Sequence, residues 1–161
     1  MTVKEYNSCV DEYADKLYRF VLKNVRDEDK ARDVVQDTFE KVWMKVKDVA
    51  REKAKSYLFT VAYNTMIDQI RREKFQTPLE ESHAENVVTT THFTDIKRVL
   101  EKALGTLNEI QRSVILLRDY EGYSYEEIGR ITGLSESQVK VYIYRARLSL
   151  KTFIGKPDNV I

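Results

Sequence analysis

Cysteine is nearly absent from the chain: Cys9 stands alone among 161 residues, so an internal disulfide framework is excluded and a reducing cytoplasm is the expected home. Cys9 together with His83 and His92 is too small a set for a standard structural zinc site, and no metal or other cofactor is expected. Five glycines and two prolines are too few for a turn-rich all-β fold or a linker-dominated chain. No run reaches the roughly 18 apolar residues of a membrane span, so insertion into a membrane is not expected. The opening MTVKEYNSCVDEYADKLYRF places acids before its first apolar run and lacks a small-residue cleavage site, so it does not read as a signal peptide. Neither a glycine-rich phosphate loop nor a metal-ligand cluster nor a nucleophile–base pairing is visible, which argues against an enzyme. What is present, 42% apolar and 33% charged residues, suits one ordinary or two small helical domains.

The net charge of +1 hides a strong pattern along the chain. Residues 1–40 carry seven basic and ten acidic side chains, and residues 41–74 carry nine and four. Residues 75–96 carry four acids and neither Lys nor Arg, residues 97–134 are balanced at six each, and residues 135–161 carry five basic and two acidic. Screening limits each patch to about 10 Å of reach, so polyanion binding depends on local charge rather than on the sum. Two cationic blocks around an anionic stretch point to nucleic acid.

Apolar spacing of three and four residues predicts helices through Tyr13, Leu17, Phe20, Val21 and Val25, then through Val34, Phe39, Val42 and Trp43. A third follows through Leu58, Val61, Ala62, Thr65, Met66 and Ile70. Asp27, followed by Glu28 and Asp29, makes a good start for the second helix, and Val46 to Ala54 reads as a loop before the third. Between Gln76 and Thr94 the pattern collapses around Pro78 and the Thr89-Thr90-Thr91 run, as in an exposed connector. Helical spacing returns at Ile96, Val99, Leu100, Ala103 and Leu104 and ends near Gly105. Three capping boxes then predict helix starts at Thr106–Glu109, Ser124–Glu127 and Ser135–Gln138. The expected fold is all-α: two small helical domains, residues 1–74 and 96–161, joined by an acidic linker at 75–95.

Tyr125 to Lys140 is organised as a helix-turn-helix. Gly129, costly inside a helix by about 1 kcal/mol, fits a place where a second helix crosses closely. Gly133 suits the left-handed position that ends the first helix, while Ile128, Leu134, Val139 and Ile143 would lock the pair. With Ser135 as N-cap, Glu136, Ser137, Gln138, Lys140 and Val141 fall at the exposed start of the second helix, and Tyr144 and Arg145 one turn on. In the major groove Lys and Arg read guanine, Gln reads adenine, and apolar groups meet the thymine methyl. Arg147 and Lys151 suit phosphate clamping.

The basic segment from Glu52 to Lys74 interleaves aromatics with cations: Tyr57, Thr60, Asn64 and Arg71 share one side, opposite Leu58, Ala62 and Thr65. Rings that stack on unpaired bases, beside cations that follow the backbone, are what single-stranded DNA binding requires. Lys47, Asp48 and Arg51 in the preceding loop could border a pocket for an extruded base.

In this order the blocks resemble the extracytoplasmic-function (ECF) sigma factors of bacterial RNA polymerase. Residues 31–43, ARDVVQDTFEKVW, are similar to the family's core-binding helix of region 2, and residues 56–72 to the helix that recognises and melts the −10 element. Residues 111–147 are similar to region 4, which reads the −35 element. The resemblance implies a two-domain factor that binds core RNA polymerase and promoter DNA, with an anti-sigma factor as a further partner. Asp33, Gln36, Asp37 and Glu40 would meet the polymerase clamp helices, with Phe39 and Trp43 mainly packing. Lys47, Asp48, Arg51, Tyr57, Thr60, Tyr63, Asn64 and Arg71 would serve the −10 element. Glu136, Ser137, Gln138, Lys140, Val141, Tyr144, Arg145 and Arg147 would serve the −35 element. Val141-Tyr142 stands where many members have a small residue followed by Arg, and Tyr57 where Trp is common. The alternative is a conventional helix-turn-helix regulator acting without core polymerase, which leaves the basic aromatic helix unexplained.

Overall fold

The computed structural model describes residues 1–76 and 95–156, and among these no strand occurs. They form two compact units, each built from its own helices.

The first unit is a three-helix bundle of α1 (Val3–Val25), α2 (Glu28–Met44) and α3 (Ala54–Gln76), each packed on the other two. Helix α1 begins at Val3, earlier than apolar spacing indicates, because Thr2 and Glu5 close a capping box. The Thr2 backbone N–H donates to the Glu5 carboxylate at 2.8 Å and holds its pKa below the usual value. Arg26 takes the left-handed conformation at φ 59°, and Asp27 then caps α2 by accepting from the Lys30 N–H. The core is filled by Leu17, Phe20 and Val21 from α1, Val34 and Val42 from α2, and Leu58, Phe59, Ala62 and Met66 from α3. Phe20 and Phe59 meet edge to face with ring centres 5.5 Å apart. Burying each such side chain stabilises the bundle by about 1.5–3 kcal/mol.

The segment read as a loop from Val46 contains two 3₁₀ turns, Val46–Asp48 and Arg51–Lys53. It is pinned from both sides. The Met1 ammonium donates to the Val46 and Val49 carbonyls at 2.6 and 2.7 Å, and Arg51 pairs with Glu12 on α1 at 3.1 Å.

The second unit holds α4 (Asp95–Gly105), α5 (Glu109–Ile115) running into a π-helical turn (Leu116–Tyr120), α6 (Tyr125–Thr132) and α7 (Glu136–Ile154). Five successive buried residues, Ser113 to Leu117, make α5 and the start of the π turn the centre of this unit. The expected capping box at Thr106 is not the start of α5: Asn108 is the N-cap and accepts from the Gln111 N–H, while the Thr106 hydroxyl donates back to the Ala103 carbonyl. Arg112 donates to the Leu104 and Leu107 carbonyls at 3.0 and 2.6 Å, satisfying acceptors at the end of α4 and in the turn after it. The other two boxes, at Ser124 and Ser135, form as the sequence predicts.

Helix α3 runs to Gln76 and α4 starts at Asp95, so each reaches slightly into the span read as linker. The remainder of that connector, with Pro78, His83, the threonine run and His92, lies outside the described residues. Among the described residues no group of His, Cys, Asp or Glu could hold a metal ion, and no helix is long and apolar enough to cross a membrane.

Candidate nucleic-acid interface

Helices α6 and α7 form the helix-turn-helix, with Ile128, Val139 and Ile143 fully buried between them and Leu134 half-buried at the turn. Gly133 ends α6 at φ 81°, the left-handed conformation that glycine adopts without strain. Gly129 is required by a close approach, but the neighbour is the turn rather than a crossing side chain: a Cβ there would lie 2.8 Å from the Leu134 carbonyl oxygen.

All eight residues expected at the −35 face of α7 are exposed: Glu136, Ser137, Gln138, Lys140, Val141, Tyr144, Arg145 and Arg147. They are not equally available. The Gln138 side-chain carbonyl accepts from the Ser135 N–H at 2.9 Å, so a bidentate contact to adenine has to give up that half of the capping box, while the Ser135 hydroxyl still caps the helix. Lys140 stands 3.6 Å from the Glu136 carboxylate and 5.7 Å from the centre of the Tyr125 ring. Arg147 is paired with Asp119 at 2.7 Å, which also holds its guanidinium pKa above the usual value. Val141, Tyr144 and Arg145 project from the same helix, Tyr144 with 67% of its surface exposed. Arg118, which no sequence motif marks, lies over the Tyr125 ring at 4.4 Å while donating to the Tyr123 carbonyl.

On α3, Tyr57, Asn64 and Arg71 recur every seven residues along one stripe, Asn64 and Arg71 exposed and Tyr57 half-buried. Thr60 is half-buried and its hydroxyl donates to the Ser56 carbonyl at 2.9 Å. Tyr63 differs from expectation: it is only 7% exposed and its ring belongs to the bundle, so it offers no face to a base. Lys47 and Asp48 are exposed on the first 3₁₀ turn, whereas Arg51 is held by Glu12. At the C-terminal end of α3 lie Asp68 and Arg72, both within the 56–72 block, and Phe75, which falls in the span expected as linker; the aromatic four residues after Arg71 is the signal that the helix continues.

Helix α2 presents Asp33, Gln36, Asp37 and Glu40, all exposed, at the three- and four-residue spacing of one face. Phe39 is buried as expected, but Trp43 is not mainly a packing residue. Its ring meets Tyr6 at 5.0 Å and still leaves 45% exposed, beside Met44 at 81%. The acidic face of α2 therefore ends in an apolar step.

Comparison with known proteins matches residues 9–76 to the family model "Sigma-70 region 2" and residues 97–150 to "Sigma-70, region 4". The ECF RNA polymerase sigma factor SigM of Bacillus subtilis is 30% identical over 152 residues, covering 91% of this chain and 93% of that protein. RNA polymerase sigma factor YlaC of the same organism is 30% identical over 154 residues, covering 90% and 89%. Among solved structures, the sigma factor RpoE in complex with the anti-sigma factor NepR from Bartonella quintana superposes with a TM-score of 0.82 at 27% identity, covering 96% of this chain and 99% of that one.

Proposed function

The chain belongs to the ECF RNA polymerase sigma factors, and from that premise we propose that it divides promoter recognition between two units carried on core polymerase. Residues 1–74 bind core and handle the −10 element, residues 96–161 read the −35 element, and the acidic span 75–95 tethers them. The observation that carries this reading is the pairing of faces on the first unit. Helix α2 exposes acids and an apolar step suited to a protein surface, while α3 exposes Asn64 and Arg71 suited to DNA. A DNA-binding regulator working alone needs only the second kind of face.

Asp33, Gln36, Asp37 and Glu40 supply hydrogen-bond acceptors and negative charge to basic partners on core, and Trp43 and Met44 supply the apolar area. Once docked, Tyr57, Asn64 and Arg71 engage the −10 strand as it unpairs, with Lys47 and Asp48 at the rim. Base stacking against aromatic and amide groups offsets the few kcal/mol that unstacking a base costs. On α7, Arg145, Lys140, Val141 and Tyr144 read the −35 major groove and Arg147 fixes register on phosphate. The chain itself performs no covalent chemistry; its work is binding and DNA opening, in the cytoplasm where polymerase acts. The RpoE relative was solved in complex with the anti-sigma factor NepR, and an anti-sigma factor is the corresponding partner for this chain's exposed faces.

The test is reconstitution. Purified protein mixed with bacterial core polymerase should select promoters from a random library and yield specific run-off transcripts. A protein that binds duplex DNA yet neither associates with core nor directs initiation would be a conventional regulator instead.

A further inference from the structure

The buried side of α7 is marked by Val139, Ile143 and Ala146. At about 100° per residue, the opposite side of the helix falls on Val141, Tyr144 and Leu148, about 170° round from that buried side. An amphipathic helix carries its most polar side chains there. This one instead carries Val141, 44% exposed, and Leu148, 51% exposed, on either side of the Tyr144 ring. The three follow at spacings of three and four residues, so they form one stripe along about 10 Å of axis. Neighbouring polar side chains are engaged within the unit: Gln138 with the Ser135 N–H, Lys140 with Glu136, and Arg147 with Asp119. The centre of the outward face of α7 is therefore apolar, and an exposed apolar patch of this kind marks a contact surface.

On the second helix of a helix-turn-helix that contact is the major groove, where the one apolar feature of a base edge is the thymine 5-methyl group. Val141 and Tyr144 lie within the first three turns of α7, the part that enters the groove, and Leu148 lies one turn beyond Tyr144. A protein partner fits this face less well. Helix α7 carries Lys140, Arg145, Arg147 and Lys151 against a single acid, Glu136, which favours a polyanion around the apolar stripe. We infer that α7 is a reader of pyrimidine 5-methyl groups: Val141, with Tyr144 one turn on, takes one methyl of the −35 element, from thymine or from 5-methylcytosine alike. The inference rests on the sigma-factor reading and adds a form of regulation to it. Methylation of a cytosine at that position strengthens the grip of the holoenzyme, so a DNA cytosine-5 methyltransferase changes initiation without changing the promoter sequence.

The experiment uses holoenzyme reconstituted with core polymerase and a promoter taken from the random-library selection. Each thymine in either strand of its −35 element is replaced in turn by deoxyuridine, which lacks only the 5-methyl group. One position should lose about fourfold in affinity, as expected for one buried methyl. With cytosine at that position, 5-methylation should return the same factor. Val141→Ala, an exposed change to a better helix former, should bind the thymine promoter about fourfold more weakly and respond to neither methyl. Leu148→Ala should keep the full response to both. The inference is overturned if no thymine responds, if cytosine and 5-methylcytosine bind alike, or if the response survives in Val141→Ala. Those results with a wild-type holoenzyme that initiates normally sink the methyl reading alone and leave the stripe to a protein partner. A wild-type holoenzyme that opens no promoter sinks the sigma-factor reading and the methyl reading with it.

Discussion

Arg147 on α7 reaches Asp119 in the π-helical turn, 2.7 Å between guanidinium and carboxylate, with both side chains nearly half exposed. A cation suited to a DNA phosphate is thus held in check by a carboxylate of its own unit. A pair this exposed stabilises the fold by about 0–1 kcal/mol, so its removal is mainly an electrostatic change.

Asp119→Asn should therefore raise affinity for non-specific duplex DNA, because Arg147 no longer has to leave a carboxylate to reach phosphate, while Arg147→Ala should lower the log–log salt slope by about one. The melting temperature should barely move. A titration of the isolated protein with random-sequence duplex at several salt concentrations decides it; unchanged affinity in Asp119→Asn together with an unchanged slope in Arg147→Ala means Arg147 does not touch phosphate.

Arg145→Ala should reduce holoenzyme affinity for a cognate −35 element by about 1–3 kcal/mol and relax the base preference at one position. Lys140→Ala should cost less, because Lys140 must leave Glu136 and the Tyr125 ring before it reaches a base. Equal affinity of the Arg145 variant for matched and mismatched promoters, at wild-type strength for the matched one, removes Arg145 from the reading surface.

On α2, Asp33→Arg should weaken association with core polymerase while leaving helicity and duplex affinity unchanged, since Asp33 is exposed and remote from α7 in sequence. Trp43→Ala should weaken it as well, through lost apolar area. Full retention of core binding in both variants, measured by co-sedimentation, would falsify the α2 face as the core-binding surface.

Gly129→Ala reverses the usual rule. In an open helix the change gains about 1 kcal/mol, but here the new Cβ meets the Leu134 carbonyl at 2.8 Å, and the turn must move. A net loss of about 1–3 kcal/mol is expected in thermal or urea unfolding of the second unit, with −35 recognition falling as α7 shifts. A stabilised variant contradicts the close approach.

Cys9 is 1% exposed, and burial pushes its thiol pKa up, so at pH 8 less of it is thiolate than of a free cysteine. Its reaction with a disulfide reagent should be slow in the folded protein and should track urea unfolding of the bundle. Rapid labelling in buffer means the α1 packing opens locally.

Helix positions were legible wherever a short-range signal acts alone. Asp27, Ser124 and Ser135 cap their helices as the sequence indicates, because a cap depends only on the next three residues. Thr106 is not the cap because two residues later Asn108 accepts from the Gln111 N–H, and the Arg112 guanidinium holds the Leu104 and Leu107 carbonyls. The site was less legible. Helical spacing placed Asn64, Arg71 and all of the α7 face outward, but Tyr63 and Trp43 exchanged roles, since the fate of an aromatic at a helix edge is set by neighbours distant in sequence. Tyr6 covers only part of Trp43, and the bundle closes over Tyr63. Phe75 falls in the expected connector because the apolar pattern fades there, while the helix itself persists to Gln76.

The clip that carries Lys47 and Asp48 is fastened through backbone carbonyls at Val46 and Val49 and through Arg51 to Glu12. Its fastenings spare the two outward side chains between them. Substitutions at these two positions leave every fastening in place, so the chemistry displayed at this rim can change without loosening the bundle beneath it.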